Sequence, residues 1–182
     1  RFHSKGGEPL LAVGTVTEMK LAPMKHERSQ IILYRVIGGG KLQLLHRTIV
    51  DDGPVLALAH FQGRLVAGIG KTIRLFDMGK RQLLRKCERR DLPTMVRNIQ
   101  AVGNRVFVGV MLRSIHVIRY DASVIRFIAI AVDMNPRPIV AQELLDFNTV
   151  AVSDKFGYVS VLRGPKGADT LGTAQDSAKG GL

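Results

Sequence analysis

The chain has 182 residues, of which 46% are hydrophobic, so it can bury the core of an ordinary domain, which argues against disorder throughout. Its formal net charge of +12 indicates attraction to polyanions such as RNA or to acidic protein surfaces, but 5% aromatic content and the absence of Trp argue against a base-stacking RNA platform. The longest apolar stretch, residues 127–132, is far shorter than the ~20 residues of a membrane-spanning helix, so we expect a soluble intracellular protein.

The first predicted unit contains three strands and a loop. Residues 9–14 (PLLAVG) form an apolar run that ends in glycine, and residues 31–36 (IILYRV) and 42–46 (LQLLH) follow as further strands. Between the first two strands, residues 17–29 (TEMKLAPMKHERS) are polar and basic. We expect this segment to be a loop that is flexible or ordered by a partner.

The second and third predicted units repeat the same order about 40 residues apart. Each contains a glycine-led apolar run, at residues 63–68 (GRLVAG) and 103–109 (GNRVFVG), and we expect Gly63 and Gly103 to adopt positive φ. One strand is predicted before each run and two after it, at residues 55–59, 72–76 and 82–87 in the second unit and at residues 96–101, 114–120 and 124–129 in the third. Within residues 73–75 (IRL) and 115–117 (IHV), apolar and polar residues alternate with the period of two that a half-buried strand requires.

The fourth predicted unit lacks its last strand. Its three strands are predicted at residues 139–144, 148–153 and 158–162, and from Gly164 onward the sequence GPKGADTLGTAQDSAKGGL has no apolar pattern. We therefore divide the chain into a folded part, residues 1–163, and a flexible loop or tail, residues 164–182. The chain also begins at Arg1 and not at a methionine, which suggests a fragment of something larger.

A repeat of about 40 residues, four strands per repeat and almost no helix predict an all-β protein of the β-propeller class. About four WD40-like four-stranded blades are visible. Each blade buries one face against the next, so a propeller has to close on itself. We therefore expect an incomplete ring whose other blades come from sequence or a partner outside this chain.

Two motifs suggest chemistry but have the wrong context. The segment 68–72 (GIGKT) ends like a phosphate-binding loop, but Leu65 occupies the position of the first required glycine, and the segment lies between two strands. A plain hairpin turn is the better interpretation. Asp51 and Asp52 precede Gly53-Pro54, so a turn is more economical than a general acid/base pair.

Neither a metal site nor a reactive thiol is predicted. The five histidines stand singly, without Cys or carboxylate at ligand spacing: His3, His26, His46, His60 and His116. Cys87 has no second cysteine to pair with and occupies a strand, so we expect a buried thiol.

The densest charge feature is a group of six cations within eleven residues, which we call the basic cluster: Lys80, Arg81, Arg85, Lys86, Arg89 and Arg90. In a blade the third and fourth strands lie toward the rim, so these side chains would form a basic patch in contact with solvent. The patch either serves solubility alone or contacts RNA phosphates or an acidic partner.

Several segments resemble one protein family in colinear order. The longest is residues 61–88 (FQGRLVAGIGKTIRLFDMGKRQLLRKCE), and the shorter ones are residues 11–15, 45–48, 117–120, 144–150 and 154–157. They resemble the family of large propeller proteins that includes splicing factor 3b subunit 3, damage-specific DNA-binding protein subunit 1 and the large subunit of the cleavage and polyadenylation specificity factor. The splicing subunit is the member most resembled.

The resemblance implies a nuclear, non-enzymatic scaffold with three propellers and a small helical end, in which this chain supplies part of the seven-bladed third propeller. It implies a hetero-oligomeric complex, the splicing factor 3b complex of the U2 small nuclear ribonucleoprotein, which supports branch-point recognition. The implied partners are the other subunits, especially the helical-repeat subunit 1 and the small subunit 5. Contact with the U2 particle and pre-mRNA would be mostly indirect, and no catalytic residue, cofactor, metal or membrane is implied.

The same resemblance leaves one alternative open. Residues 111–114 (MLRS) and 135–136 (NP) are closer to damage-specific DNA-binding protein subunit 1, a propeller adaptor of cullin ubiquitin ligases. The alternative prediction is therefore an adaptor of this kind.

Overall fold

The computed structural model describes residues 2–3 and 9–164, and this part of the chain is almost entirely β-structure. Its strands form three sheets of four strands, one sheet of three and one two-stranded hairpin. A single 3-10 turn, Gly38–Gly40, interrupts the β-structure. Within the same residues, no helix is long and apolar enough to cross a membrane. The all-β prediction is confirmed.

The first sheet, blade 1, contains four strands and carries the extra hairpin. The six strands of this region are β1 (Phe2–His3), β2 (Pro9–Thr17), β3 (Lys20–Leu21), β4 (Met24–Lys25), β5 (Arg28–Val36) and β6 (Leu42–Val50). The order in the sheet is β1-β2-β5-β6, whereas β3 and β4 pair only with each other.

Blades 2 to 4 follow with the same antiparallel order. Blade 2 contains β7 (Val55–Phe61), β8 (Arg64–Ile69), β9 (Thr72–Met78) and β10 (Leu83–Arg89). Blade 3 contains β11 (Val96–Val102), β12 (Arg105–Val110), β13 (Ile115–Asp121) and β14 (Arg126–Val132). Blade 4 contains β15 (Ile139–Leu144), β16 (Thr149–Asp154) and β17 (Val159–Arg163), so three of its strands lie within the described residues.

Successive blades stack face to face around their first strands. Strand β7 contacts β11, and β11 contacts β15, whereas the fourth strands lie at the far edge of each sheet. This arrangement is that of consecutive propeller blades. It confirms the predicted position of third and fourth strands toward the rim.

The hydrophobic core is divided into layers between the blades. One cluster joins blades 1 and 2, a second joins blades 2 and 3, and a third joins blades 3 and 4. Val66, Ile73 and Leu75 of blade 2 are completely buried under blade 3. Full burial of each such side chain contributes about 1.5–3 kcal/mol, so the face of a blade is stable only when another surface covers it.

A glycine permits the close approach of neighbouring blades. A Cβ atom added at Gly68 of β8 would lie 2.8 Å from the Cβ of Val96, the first residue of blade 3. Atoms of two side chains do not approach so closely without a shift of the backbone. Glycine in the apolar run of blade 2 therefore lets the first strand of the next blade pack against it.

The structure differs from the prediction in residues 17–29. Strands β2 and β5 extend to Thr17 and from Arg28, and β3 and β4 form a hairpin between them with Pro23 in its turn. The segment therefore contains regular β-structure that extends blade 1, where a loop was predicted. Of the predicted tail, residues 164–182, all but Gly164 lie outside the described residues.

Candidate interaction surfaces

The structure distributes the basic cluster over both faces of β10 and its flanking turns. Arg85 pairs in register with Phe76, which packs toward blade 1, whereas Arg89 pairs with Ile73, which packs toward blade 3. A register shift between Arg85 and Cys87 separates the two sides. The sequence predicted one patch, but the strand divides its cations between two faces.

Glu88 lies at the centre of an ion-pair network that neutralises part of the cluster. Its carboxylate is 2.8 Å from the guanidinium of Arg74, 2.6 Å from that of Arg90 and 3.3 Å from that of Arg85. Asp52 adds an ion pair to Arg74 and lies 3.8 Å from Arg90. Asp51 and Asp52 lie in the link between β6 and β7, and the carboxylate of Asp52 belongs to this network.

The network perturbs the titration of Glu88. Burial acts to raise the pKa of the Glu88 carboxyl, but the hydrogen bond from Arg90 and the charge of Arg74 outweigh it. The pKa of Glu88 therefore lies below its ordinary value. The carboxylate stays ionised at neutral pH and offsets the charge of the arginines around it.

The remaining cations of the cluster differ in how freely they face solvent. Arg89 forms an ion pair with Asp91 and donates a 3.3 Å hydrogen bond to the carbonyl of Phe127 in blade 3. Lys86 lies 3.9 Å from Asp77. Lys80 and Arg81 are exposed in the turn after β9 and form no ion pair with any described residue. These two are the cations of the cluster most available to a partner.

Cys87 lies in β10, and the GKT segment lies at the turn between β8 and β9. Burial raises the pKa of the Cys87 thiol to about 11, and its side chain packs against the core between blades 2 and 3. The thiol is half-buried and not fully buried as predicted. Gly70 and Lys71 form the two-residue turn between β8 and β9, with Gly70 at φ +53°. The hairpin interpretation of the GKT segment is confirmed. Among the described residues, no three His, Cys, Asp or Glu side chains are grouped as metal ligands.

Sequence reasoning missed a repeated contact between blades. Arg64, the first residue of β8, lies over the ring of Tyr120 in blade 3 at 5.7 Å, and Arg105, the first residue of β12, lies over Phe147 of blade 4 at 4.4 Å. Gln62 also donates a 2.8 Å hydrogen bond to the carbonyl of Gly103. The sequence shows an arginine one or two residues after each turn glycine, Gly63 and Gly103. It does not show the aromatic partner, which lies 56 residues further along for Arg64 and 42 residues further along for Arg105.

Within the described residues, the outer face of blade 4 is left exposed. Val159 and Val161 of β17 lie on the face that points away from blade 3, and they are 75% and 62% exposed. The residues in the same register positions of blades 2 and 3 are at most 8% exposed: Ile73, Leu75, Ile115 and Val117. In those blades the next blade supplies the cover. Blade 4 thus presents the apolar face to which another blade would bind.

Four consecutive blades with an open apolar face define the chain as a segment of a β-propeller. Residues 1–175 match the family described as the CPSF A subunit region. The chain belongs to this family.

The chain is also similar to named splicing proteins. It is 48% identical over 162 residues, 88% of the chain, to the probable splicing factor 3B subunit 3 of Dictyostelium discoideum. It is 42% identical over 166 residues to splicing factor 3B subunit 3 of Danio rerio, and 44% identical over 167 residues to spliceosome-associated protein 130 A of Arabidopsis thaliana, 91% of the chain in both cases. The chain spans only 13–14% of the length of these relatives.

Proposed function

We propose that the chain is part of a non-enzymatic scaffold subunit of the splicing factor 3b complex, which belongs to the U2 small nuclear ribonucleoprotein and acts in the nucleus in branch-point recognition. The observation that carries this proposal is the 40–48% identity to proteins named as splicing factors or as a spliceosome-associated protein over about nine tenths of the chain. Those names also favour the splicing subunit over the cullin ligase adaptor.

The proposal includes the chain's place in a larger ring. Residues 1–163 would supply four blades of a seven-bladed propeller, and residues 164–182 a loop or tail. The exposed face of blade 4 supports this proposal. In blades 2 and 3, the residues at the positions of Val159 and Val161 are buried under the next blade.

The proposed partners are other subunits of the complex, especially the helical-repeat subunit 1 and the small subunit 5. Contact with RNA would be mostly indirect. Ion pairs already engage Arg85, Arg89 and Arg90, which supports a limited role for the basic cluster in binding phosphates.

Affinity purification of the tagged full-length protein from nuclear extract, followed by mass spectrometry, tests the assignment. We expect splicing factor 3b subunits and U2 proteins to be recovered together. Recovery of cullins and ubiquitin-ligase components without splicing subunits would favour the adaptor and contradict the proposal.

Direct RNA contact through the basic cluster has its own test. The double substitution Lys80→Glu/Arg81→Glu should reduce ultraviolet crosslinking of this region to RNA in the assembled particle if these side chains contact phosphates. The charge-matched double substitution Lys41→Glu/Arg126→Glu serves as the control. If wild-type residues 80–90 give no crosslink to RNA, the cluster has no role in phosphate binding.

A further inference from the structure

One end of the four-blade arc is formed by the turns that join the second and third strands of each blade. We call these turns the tip turns: residues 18–27, 70–71, 111–114 and 155–158. Backbone hydrogen bonds tie three of them to a link between blades or to the first residue of the next blade. They run from Val96 N to Gly70 O at 2.8 Å, from Met111 N to Met95 O at 2.9 Å and from Lys155 N to Pro138 O at 3.1 Å. The tip turns therefore lie side by side on one surface.

Each tip turn carries an exposed cation. Lys71, Arg113 and Lys155 occupy the turns of blades 2, 3 and 4, and none forms an ion pair with a described residue. In blade 1, Lys20 and Lys25 stand directly opposite each other in the β3–β4 hairpin. Like charges in opposed positions destabilise a two-stranded hairpin, and an anion bound beside them would remove this cost.

The acidic residues in the links between blades at this end are mostly neutralised. Asp91 pairs with Arg89, Asp133 with Arg137, and Asp52 with Arg74 and Arg90. Asp154 accepts hydrogen bonds from the backbone amides of Phe156 and Tyr158. The acids left exposed outside ion pairs are Glu18, Glu27 and Asp51, and the unpaired cations outnumber them.

Large apolar side chains alternate with these cations. Leu112, Phe156 and Tyr158 are each at least 60% exposed, and Met24 at the hairpin and Met134 in the last link extend the same surface. Aromatic, methionine and arginine side chains are enriched at protein interfaces. Surfaces that follow a nucleic-acid backbone are more polar, so the composition favours a protein partner over RNA.

We propose that the tip turns bind a protein segment that combines acidic residues with large apolar side chains. The cations of the four turns would pair with its carboxylates, while Leu112, Phe156 and the hairpin would bury its apolar side chains. The inference rests on the proposed scaffold role, in which such a segment would belong to another subunit of the complex.

Photocrosslinking in the assembled complex tests the location and chemistry of the partner. A benzophenone amino acid replaces Leu112 or Phe156 in the full-length protein, and Val124 or Ile125, exposed at the opposite end of blade 3, in the controls. We expect crosslinks from the first two positions to one segment of another chain that contains both acidic and large apolar residues. Crosslinks to RNA only, to a segment without acidic residues, or to no other chain would overturn the proposal.

Charge reversal tests the role of the cations. A synthetic peptide of the crosslinked segment should bind the full-length Lys71→Glu/Arg113→Glu variant at least about tenfold more weakly than wild type. The control Lys41→Glu/Arg126→Glu makes the same charge change at the opposite end and should leave binding within about twofold of wild type. Lysines in place of the acidic residues of the peptide should restore binding to the first variant. Equal loss in both variants, or no loss in either, contradicts the proposal.

Failure of this inference can be distinguished from failure of the proposed function. If splicing subunits are purified together with the tagged protein but positions 112 and 156 crosslink to no acidic segment, only the inference is wrong. If an acidic segment crosslinks but no splicing protein is recovered, the surface is correct and the assignment to the splicing complex is wrong.

Discussion

Glu88 explains why a sequence with six clustered cations does not produce one strongly positive patch. A single carboxylate, 21% exposed, is shared by Arg74, Arg85 and Arg90. Asp52 joins the same network from the link between β6 and β7, 36 residues earlier in the chain. The spacing of the cations was visible in the sequence. The ion pairs of Asp52 with Arg74 and Arg90 were not, because only the fold brings the link before β7 next to β9 and β10.

The network makes stability depend on pH. The pKa of Glu88 in the folded protein lies below its ordinary value of 4.5, so its contribution is present above about pH 4.5 and is lost as the pH falls through the folded pKa. Glu88→Gln should lower the free energy of unfolding by on the order of 1 kcal/mol at pH 7. Denaturant unfolding of both proteins at pH 7 and pH 3 measures the difference, which should shrink at pH 3. A difference that stays constant contradicts the assignment.

Two turn glycines test the separate effects of backbone conformation and packing. Gly63 and Gly103 have φ of +73° and +59°, as expected from the sequence, but only at Gly103 would a Cβ meet a neighbour, the Phe147 ring at 2.7 Å. Gly63→Val should destabilise its hairpin by about 1 kcal/mol or more, and Gly103→Val by about 1–3 kcal/mol beyond that. Hydrogen exchange of the amides flanking each turn measures both losses. Equal losses would exclude a role for Phe147.

At the scale of the elements, the strands could be predicted where apolar residues form a run or alternate with polar ones, and not where a strand has only two residues. The glycine-led runs and the alternating runs after them correspond to β8, β9, β12, β13, β16 and β17. The hairpin of β3 and β4 was missed because strands of two residues have no period to detect. The contact of Arg105 with Phe147 was also missed, since only the stacking of blades 3 and 4 brings them together.

Gly68 tests how closely two blades have to pack. Because a Cβ atom there would meet Cγ1 of Val96, which lies closer to it than the Val96 Cβ at 2.8 Å, Gly68→Ala should destabilise the junction of blades 2 and 3 by about 1–3 kcal/mol. Val96→Ala removes Cγ1, so Gly68→Ala should cost less stability in the Val96→Ala background than in the wild type. A double-mutant cycle from denaturant unfolding gives the coupling. Additive effects would show that the two residues do not compete for the same space.

At the scale of the whole molecule, the chain is an arc with unsatisfied surfaces. The apolar core lies between blades, so blade 4 has one covered and one open face, and β17 has one edge that pairs with no described strand. Exposed edges and apolar faces favour association with further β-structure. The repeat predicted the blades, while the exposure of Val159 and Val161, which the sequence did not reveal, supports the proposal of a neighbour on blade 4.

The accessibility of residue 161 in the full-length protein tests most directly whether the chain is a segment of a larger ring. Val161→Cys and, as an exposed control in the turn before β14, Val124→Cys are alkylated, and each site is followed by mass spectrometry. A covering blade would protect residue 161, so we expect alkylation at least about 100-fold slower there than at residue 124. Equal rates at the two sites would show that no blade covers blade 4 and would contradict the account.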